Sequence, residues 1–314
     1  DEISILTSNS TILSDSIIIS FDKENPKAFE IVGNINSDKF TITDYAPLFK
    51  NLPQGIPTLA FNISTHSNSA VSRTIISAKS IDKNIALKAT ASIDRPFDKE
   101  RSANVCLNNL HLTKEGVTLL QSFTKANTVD FAEKLGECTI KGEAELTTKK
   151  LAGNFTLNTV NGEIYAGATV NENGVFDIDI NGNDINVGRL ADIDEALTCS
   201  LNTKANGCFN NKDKNICLDG CITHLKSSKH SYSPIEFRGK YDINKNTMTA
   251  GIETKDPGLT AKADLNYSKK ESHRFILSLN VDSITPSKIG VSDSIKETFA
   301  FNFDGELTFR TTAY

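Results

Sequence analysis

Apolar and polar residues alternate along most of the chain with a period of two, which is typical of β-strands that bury one face. From Cys138 to Leu146 the even positions are apolar or small, while the odd positions carry threonine, lysine and glutamate. The same alternation recurs in residues 85–93, 235–243, 259–267 and 275–281. We therefore predict an all-β protein.

Turn-forming pairs separate these segments. Because asparagine and glycine both tolerate positive φ, Asn-Gly pairs predict hairpin turns. They occur at residues 161–162, 173–174, 181–182 and 206–207, and Asp256-Pro257-Gly258 is a further turn signal. Connections this short join antiparallel neighbours, which predicts a meander and not a βαβ fold.

Helical patterns are few and short. We expect one helix at Lys114–Ala126 and shorter ones at Asp44–Leu52 and Val187–Ile193. Each follows a strand and precedes a new one-sided strand. The points Ile42, Leu112, Val187 and Pro286 are equivalent in this pattern and lie 70, 75 and 99 residues apart. A degenerate repeat of this kind favours an extended, repeat-built sheet.

The apolar face of such a sheet is too large to remain uncovered. About 20 strands, each ~20 Å long and ~4.8 Å from the next, present roughly 1,900 Å² on one face. Soluble monomers rarely expose apolar patches beyond about 300–600 Å². Two arrangements satisfy this constraint. The sheet folds on itself as a closed sandwich, or it curls into a trough that an apolar ligand fills.

Composition and charge exclude several functions. The hydrophobic fraction of 38% is below the usual ~45–50%, which fits thin sheets better than one thick core. The net charge is −5 and lysine and arginine are spread along the chain, so we expect no nucleic-acid partner. No run of ~18 apolar residues predicts a transmembrane helix. Nucleophile-elbow, HExxH, P-loop and GxGxxG motifs are absent, so we predict a non-enzyme without a cofactor.

The cysteines give a mixed picture. Cys138 and Cys199 lie at apolar positions of predicted strands and should be buried. Cys208, Cys217 and Cys221 accompany two histidines, but no zinc-knuckle spacing is present and we expect no metal site. Ordinary thiols and a cross-strand disulfide between Cys208 and Cys217 remain alternatives. If unpaired, Cys208 should react faster with thiol reagents than Cys138.

The pattern of Asn-Gly turns, one-sided strands and short apolar helices resembles a known family. It is clearest in "NGEIYAGATVNENGVFDIDINGNDINVGRLADI", "GKYDINKNTMTAGIETKDPGLTAKADLNY" and "VDSITPSKIGVSDSIKETFAFNFDGEL". These segments resemble the TamB and AsmA-like envelope proteins of Gram-negative bacteria, which belong with the bridge-like lipid transfer proteins. The resemblance implies an elongated, curled antiparallel sheet, the β-taco, whose groove carries phospholipid acyl chains between the inner and outer membranes.

The resemblance also implies a cellular context. It predicts a periplasmic location, an inner-membrane anchor outside this chain, and an outer-membrane β-barrel protein as partner. Residues 1–314 are then expected to be a fragment of a longer repeat-built protein, with a candidate sub-boundary near 125–137.

We expect the residues that line the groove to be large and apolar and to occupy those alternate positions of their strands that point toward the buried side. They are Ile140, Leu146, Phe155, Leu157, Phe176, Ile178, Phe237, Leu265, Phe275, Leu277, Phe299 and Phe301. The same side chains could form the core of a closed sandwich. The alternative function is therefore a structural or adhesive surface β-sandwich protein.

Solution scattering tests the elongated arrangement. A compact chain of this length has a radius of gyration near ~20 Å. About 20 strands stacked at ~4.8 Å extend roughly 90–100 Å, so we expect a clearly larger value. A measured radius equal to the compact value would refute the elongated sheet.

Overall fold

The computed structural model describes residues 3–24, 28–48, 55–123, 134–193, 196–209, 214–269 and 272–309. These residues are mostly β-strand with a few short helices, so the prediction of an all-β antiparallel fold is confirmed. Internal contacts divide the chain into two compact units, Asp1–Val160 and Asn161–Tyr314. The candidate sub-boundary near 125–137 falls largely on residues outside the described ranges.

Unit 1 contains one antiparallel meander. From β4 to β10 each strand pairs with the next, while β2 and β3 share one edge of β4, and β1 pairs with β2. The strands are β1 Ile3–Leu6, β2 Thr11–Ser14, β3 Ile17–Phe21, β4 Phe29–Phe40, β5 Leu59–Asn68, β6 Val71–Ser80, β7 Ile85–Asp94, β8 Ser102–Leu112, β9 Cys138–Leu146 and β10 Lys150–Thr159.

Unit 2 contains a second meander of the same kind. Each strand pairs with its neighbour in sequence, except that β15 and β16 share one edge of β14. The strands are β11 Gly162–Asn171, β12 Val175–Asn186, β13 Thr198–Cys208, β14 Asn215–Lys226, β15 Ser231–Tyr232, β16 Ile235–Asp242, β17 Thr247–Asp256, β18 Leu259–Lys269, β19 His273–Ile284 and β20 Phe299–Phe309.

Four strands, β4, β8, β12 and β19, carry a bulge near their ends, where two residues oppose one on the next strand. Such a bulge bends the strand and increases its twist. The first paired residue after each bulge lies two positions before one of the predicted repeat points. These residues are Phe40, Leu110, Ile185 and Ile284. The predicted repeat therefore coincides with a recurring local structure.

Three of the bulged strands lead into short helices. A 3-10 helix spans Ile42–Leu48, α1 spans Lys114–Phe123 and α2 spans Val187–Leu190. The three predicted helices are thus present, although α2 is shorter than expected because Asp192 adopts positive φ. The predicted ends at Leu52 and Ala126 lie outside the described residues.

Two of the predicted Asn-Gly turns are wrong. Residues 181–182 lie within β12 and residues 206–207 lie within β13. Gly182 instead gives room to Ile185 beyond the bulge, and Gly207 gives room to the Phe176 ring. A strand glycine thus marks close packing here, a role that sequence alone does not separate from a turn. The turns at Asn173-Gly174 and Asp256–Gly258 are confirmed.

Buried apolar residues cluster where α1 meets the sheet of unit 1. Leu112, Val117 and Cys138 form a buried cluster, and Leu110 and Leu157 pack against it. Burial raises the pKa of the Cys138 and Cys199 thiols, as expected for cysteines in apolar surroundings. The prediction that both are buried is confirmed.

Of the two alternatives for Cys208 and Cys217, the structure contains the ordinary thiols, since all six cysteines are free. Cys208 is nevertheless buried, at 9% exposure against 3% for Cys138, and its faster reaction with thiol reagents stays a prediction. Cys208 pairs with Val175, and its thiol donates to the carbonyl oxygen of Asn173 in the β11–β12 turn at 3.7 Å. The adjacent hairpin turn covers this thiol, a contact between strands that local polarity does not reveal.

Gly207→Ala tests the close packing of β13. A methyl group there would overlap the carbonyl oxygen of Asn215 and lie 2.9 Å from the Phe176 ring. We expect a loss of about 1–3 kcal/mol in the free energy of unfolding, measured by urea denaturation. Gly239→Ala is the matched control, because its nearest neighbours would lie at 3.7 and 3.9 Å. Equal stability of the two variants would contradict the predicted packing.

Candidate functional site

The registers of unit 2 place its apolar positions on one face. Directly paired residues of antiparallel strands share a face, so the pairings can be followed from strand to strand. One row runs through Phe176, Gly207, Ile216, Tyr241, Met248, Tyr267, Phe275 and Leu307. A second row runs through Ile178, Ala205, Leu218, Gly239, Ala250, Leu265, Leu277 and Gly305.

Two further rows continue the same face toward the bulges. The third contains Ile180, Thr203, Gly220, Phe237, Ile252, Ala263, Leu279 and Phe303. The fourth contains Gly182, Leu201, Ile222, Ile235, Thr254, Ala261, Val281 and Phe301. No charged residue occurs in these four rows, which we call the apolar face of unit 2.

Unit 1 has an apolar face of its own. One row contains Phe61, Ala78, Leu87, Leu110, Ile140 and Leu157, and the next contains Ile63, Ile76, Ala89, Leu107, Gly142 and Phe155. The candidate Leu146 pairs with Leu151 and Ala103 on the same face. In each unit, all predicted groove residues therefore lie on one side of the sheet; Phe299 joins its face by pairing with Ile284.

The exposure of the candidates varies. Leu146, Phe155, Leu277, Phe299 and Phe301 are exposed. Ile140, Leu157, Ile178, Phe237, Leu265 and Phe275 are half-buried. Phe176 is only 3% exposed and stacks on Phe209 with ring centroids 4.5 Å apart, so it belongs to the packing of the sheet end.

Sequence reasoning missed several exposed members of the face. Ile252 is 47% exposed, and its neighbours in the row are Phe237 and Ala263. Glycine and threonine interrupt the alternation around it, so only the pairing with Phe237 reveals its role. Leu307 and Phe309 are also exposed, and their position on the same face of β20 as Phe301 was the available signal.

The opposite face of unit 2 is polar and electrostatically paired. The distances between the charged nitrogen and carboxylate oxygen atoms are 3.1 Å for Lys262 and Asp264, 3.5 Å for Lys204 and Asp179, and 2.7 Å for Arg274 and Glu306. Two shallow depressions of 330 and 470 Å³ are lined by charged residues of this face, such as Asp219 and Arg238, together with a few residues of the apolar rows. An acyl chain there would remove charged groups from water without replacing their partners, which is unfavourable. The depressions therefore do not compete with the apolar face for apolar ligands.

A polar contact in unit 1 ties the 3-10 helix to the β1–β2 turn. The Asp44 carboxylate accepts hydrogen bonds from the Thr7 hydroxyl, from Ser10 Oγ at 2.8 Å and from the Asn9 amides at 3.1 Å. These donors, with Thr7 first, lower the pKa of Asp44 to about 2. The ionised carboxylate thus anchors the connection that follows the first bulged strand.

A buried carboxylate organises the corresponding end of unit 2. Asp256 is 1% exposed and accepts N–H bonds from Ser233 at 2.7 Å and Gly258 at 2.8 Å. Its carboxylate also lies 3.4 Å from His230 Nε2. Burial by itself raises the pKa of Asp256, but these donors outweigh it and the pKa is lowered. Asp256 thereby joins the β17–β18 turn to the β14–β16 connection.

The segment after β19 completes this end of unit 2. Ile289 is buried, and its carbonyl oxygen accepts a hydrogen bond from the Tyr232 hydroxyl at 3.1 Å. The Tyr232 ring meets the His230 ring edge to face, with centroids 4.5 Å apart. Apolar packing and the Asp256 contacts therefore join three connections at this end of unit 2, while Ile252 in the middle of the apolar face stays 47% exposed.

The described residues contain neither a cluster of metal ligands nor a helix that could span a membrane. Within them, no group of three or more metal-ligating side chains converges. Their helices are also too short or too polar to cross a membrane. Cys217 and Cys221 share the polar face with Lys240 and Glu236, whereas His230 packs on Tyr232.

No protein-family model, curated protein or solved structure matches this chain.

Asp256→Asn tests the cap of unit 2. The folded-state pKa of Asp256 is below its unfolded value of about 3.9, so its stabilisation is present above that value and is lost as pH falls through the folded pKa. We expect the variant to be about 1–3 kcal/mol less stable at pH 7. The difference should shrink as pH falls below about 4 in urea denaturation at successive pH values. Asp219→Asn, on the exposed polar face, is the control and should change stability little. A stability difference that is constant with pH would contradict the role of Asp256.

Proposed function

We propose that the apolar faces bind the acyl chains of phospholipids and that the protein is a non-catalytic lipid-binding module. The observation that carries this proposal is the continuity of the apolar face of unit 2 across its strand pairings. Each described strand of the unit belongs to one meander. On its apolar face, exposed residues such as Ile252, Leu277 and Phe301 lie among half-buried ones. A ligand with an apolar surface would cover what the sheet itself leaves exposed.

The size of the face supports a ligand of this kind. Eight steps of ~4.8 Å between β11 and β20, with strands ~20 Å long, give roughly 800 Å² for unit 2. This area exceeds the apolar patch of about 300–600 Å² on an ordinary soluble monomer. Each acyl methylene that leaves water contributes about 0.8 kcal/mol, so hydrocarbon chains can be held without polar contacts.

The composition of the face supports broad selectivity. Its four rows contain no charge, and their polar atoms are limited to threonine and tyrosine hydroxyls such as those of Thr203, Thr254 and Tyr241. A phosphate head group would therefore find no ionic partner within the rows and would remain in water at the margin. We expect selection by hydrocarbon content and not by head group.

The closed-sandwich alternative requires two sheets that face each other and crossover connections between them. The strand pairing of each unit favours the lipid proposal, because consecutive strands are joined as neighbours. The resemblance to TamB and AsmA-like proteins supports the further proposal that binding serves lipid transfer between membranes of a cell envelope.

Ile252→Glu tests lipid binding at a position that folding does not require to be apolar. Ile252 is 47% exposed, so water can solvate the new carboxylate in the free protein, but an acyl chain that covers it cannot. We expect the variant to remain folded and to retain several-fold less phospholipid. The measurement is thermal unfolding together with mass spectrometry of phospholipid extracted from the purified protein.

Thr249→Glu is the matched control. It introduces the same charge on the same strand, but on the polar face, where Thr249 pairs with Lys240. This variant should carry as much lipid as the wild type. A wild type that carries no phospholipid, or equal lipid in all three proteins, would refute the proposal.

A further inference from the structure

The apolar face of unit 2 ends, on the side of the β18–β19 connection, in two basic residues. Two positions beyond the first row, the register pairs Lys269 with His273, and His273 with Phe309. Directly paired residues share a face, so Lys269 and His273 lie on the same side of the sheet as the apolar rows. Lys269 is exposed and His273 is half-buried. We call these two residues the basic margin of unit 2.

Aromatic contacts hold the His273 ring in place. Its Nδ1 atom lies 3.0 Å from the Tyr267 hydroxyl oxygen, and the Phe309 ring stacks on it with centroids 5.1 Å apart and planes 8° from parallel. When the hydroxyl donates to Nδ1, the neutral imidazole carries its proton on Nε2, and the protonated imidazole carries one there as well. Among the described residues, no acceptor binds Nε2. The ring is therefore positioned to donate a hydrogen bond to a ligand.

The described carboxylates do not neutralise the basic margin. None of them forms an ion pair with Lys269 or His273. Asp242, at the same end of the sheet, binds Lys245 at 3.0 Å. Glu172 lies in the β11–β12 turn, which the strands from β13 to β17 separate from β18. Within the described part of unit 2, the basic margin thus presents positive charge beside an apolar surface.

The opposite end of the apolar face carries the other sign of charge. Two positions beyond the fourth row, Asp256 pairs with Leu259. The Asp256 carboxylate is 1% exposed and already accepts the N–H groups of Ser233 and Gly258. An anionic group at that end would be repelled by Asp256. The two ends of the face therefore differ in the charge that they can accept.

Building on the proposed function, we propose that the basic margin binds the phosphate of the phospholipid whose acyl chains cover the apolar face of unit 2. The Lys269 ammonium and the His273 Nε2–H group donate charge-assisted hydrogen bonds to the phosphate oxygens. The acyl chains then run along the strands from the basic margin toward the end that holds Asp256. The lipid thereby acquires one orientation on the sheet.

The apolar rows beside the basic margin identify a phospholipid, and not free phosphate, as the ligand. Free phosphate would gain only the contacts with Lys269 and His273, and such exposed ionic contacts are weak. A phospholipid also removes its acyl chains from water, which is the larger favourable contribution. Every phospholipid contains the phosphate, so the basic margin separates phospholipids from neutral lipids without distinguishing one head group from another.

Competition between two lipids with the same acyl chains tests the basic margin. The 314-residue chain is incubated with detergent micelles that contain equal amounts of dioleoylphosphatidylglycerol and dioleoylglycerol, and is then re-isolated by size-exclusion chromatography. Mass spectrometry gives the ratio of the two bound lipids. We expect the wild type to prefer the phospholipid. In Lys269→Met/His273→Phe the ratio should fall roughly two- to ten-fold, the range expected for the loss of exposed ionic contacts.

The substitutions keep the apolar parts of both side chains, since methionine retains an unbranched stem and phenylalanine retains a ring that can stack on Phe309. Lys240→Met is the matched control, because Lys240 is exposed on the polar face, where it pairs with Thr249. This control should retain the lipid ratio of the wild type. Thermal unfolding checks that all the variants are folded.

The possible results separate this proposal from lipid binding itself. An equal ratio in the wild type and the double variant, with lipid bound to both, would overturn the role of the basic margin and leave lipid binding intact. Loss of both lipids from the double variant at an unchanged ratio would assign Lys269 and His273 to the packing of the face, and would also overturn it. A wild type that binds neither lipid would refute the proposed function and this proposal together.

Discussion

The constraint on which this structure depends is the period of two in antiparallel pairing. Residues paired across strands share a face, so a chain that alternates apolar and polar residues collects all its apolar side chains on one side. In unit 2 the row from Ile180 through Phe237 and Ile252 to Phe303 shows this result. The apolar side chains partly shield one another, but a single sheet provides no second layer to cover them, and this links the fold to the proposed lipid binding.

The apolar residues near the strand ends, unlike those in the middle of the face, are buried by the connections between strands. Bulges in β4, β8, β12 and β19 shift the register shortly before each strand ends. The connections that follow bring apolar residues such as Val117 and Ile289 into buried positions. Polar anchors hold the connections, with Asp44 in unit 1 and Asp256 in unit 2. Both carboxylates have lowered pKa values, so both anchors depend on an ionised side chain.

The sequence by itself determined most of the strands, the faces of their side chains and the recurrence of short helices between them, whereas the bulges at these points came from the strand registers. The parity of Ile140, Leu265 or Phe301 is a local property, and the burial of Cys138 and Cys199 followed from it. The resemblance to an envelope protein family adds an expectation of function that parity does not contain.

Only the tertiary structure decided which of these side chains are covered. Phe176 lies on the same face of unit 2 as Phe301. The Phe209 ring covers Phe176, whereas Phe301 stays 49% exposed. Cys208 is buried by a neighbouring hairpin, and Gly207 serves packing instead of a turn. The face on which a side chain lies depends on its own strand, whereas its burial depends on segments that are distant in sequence.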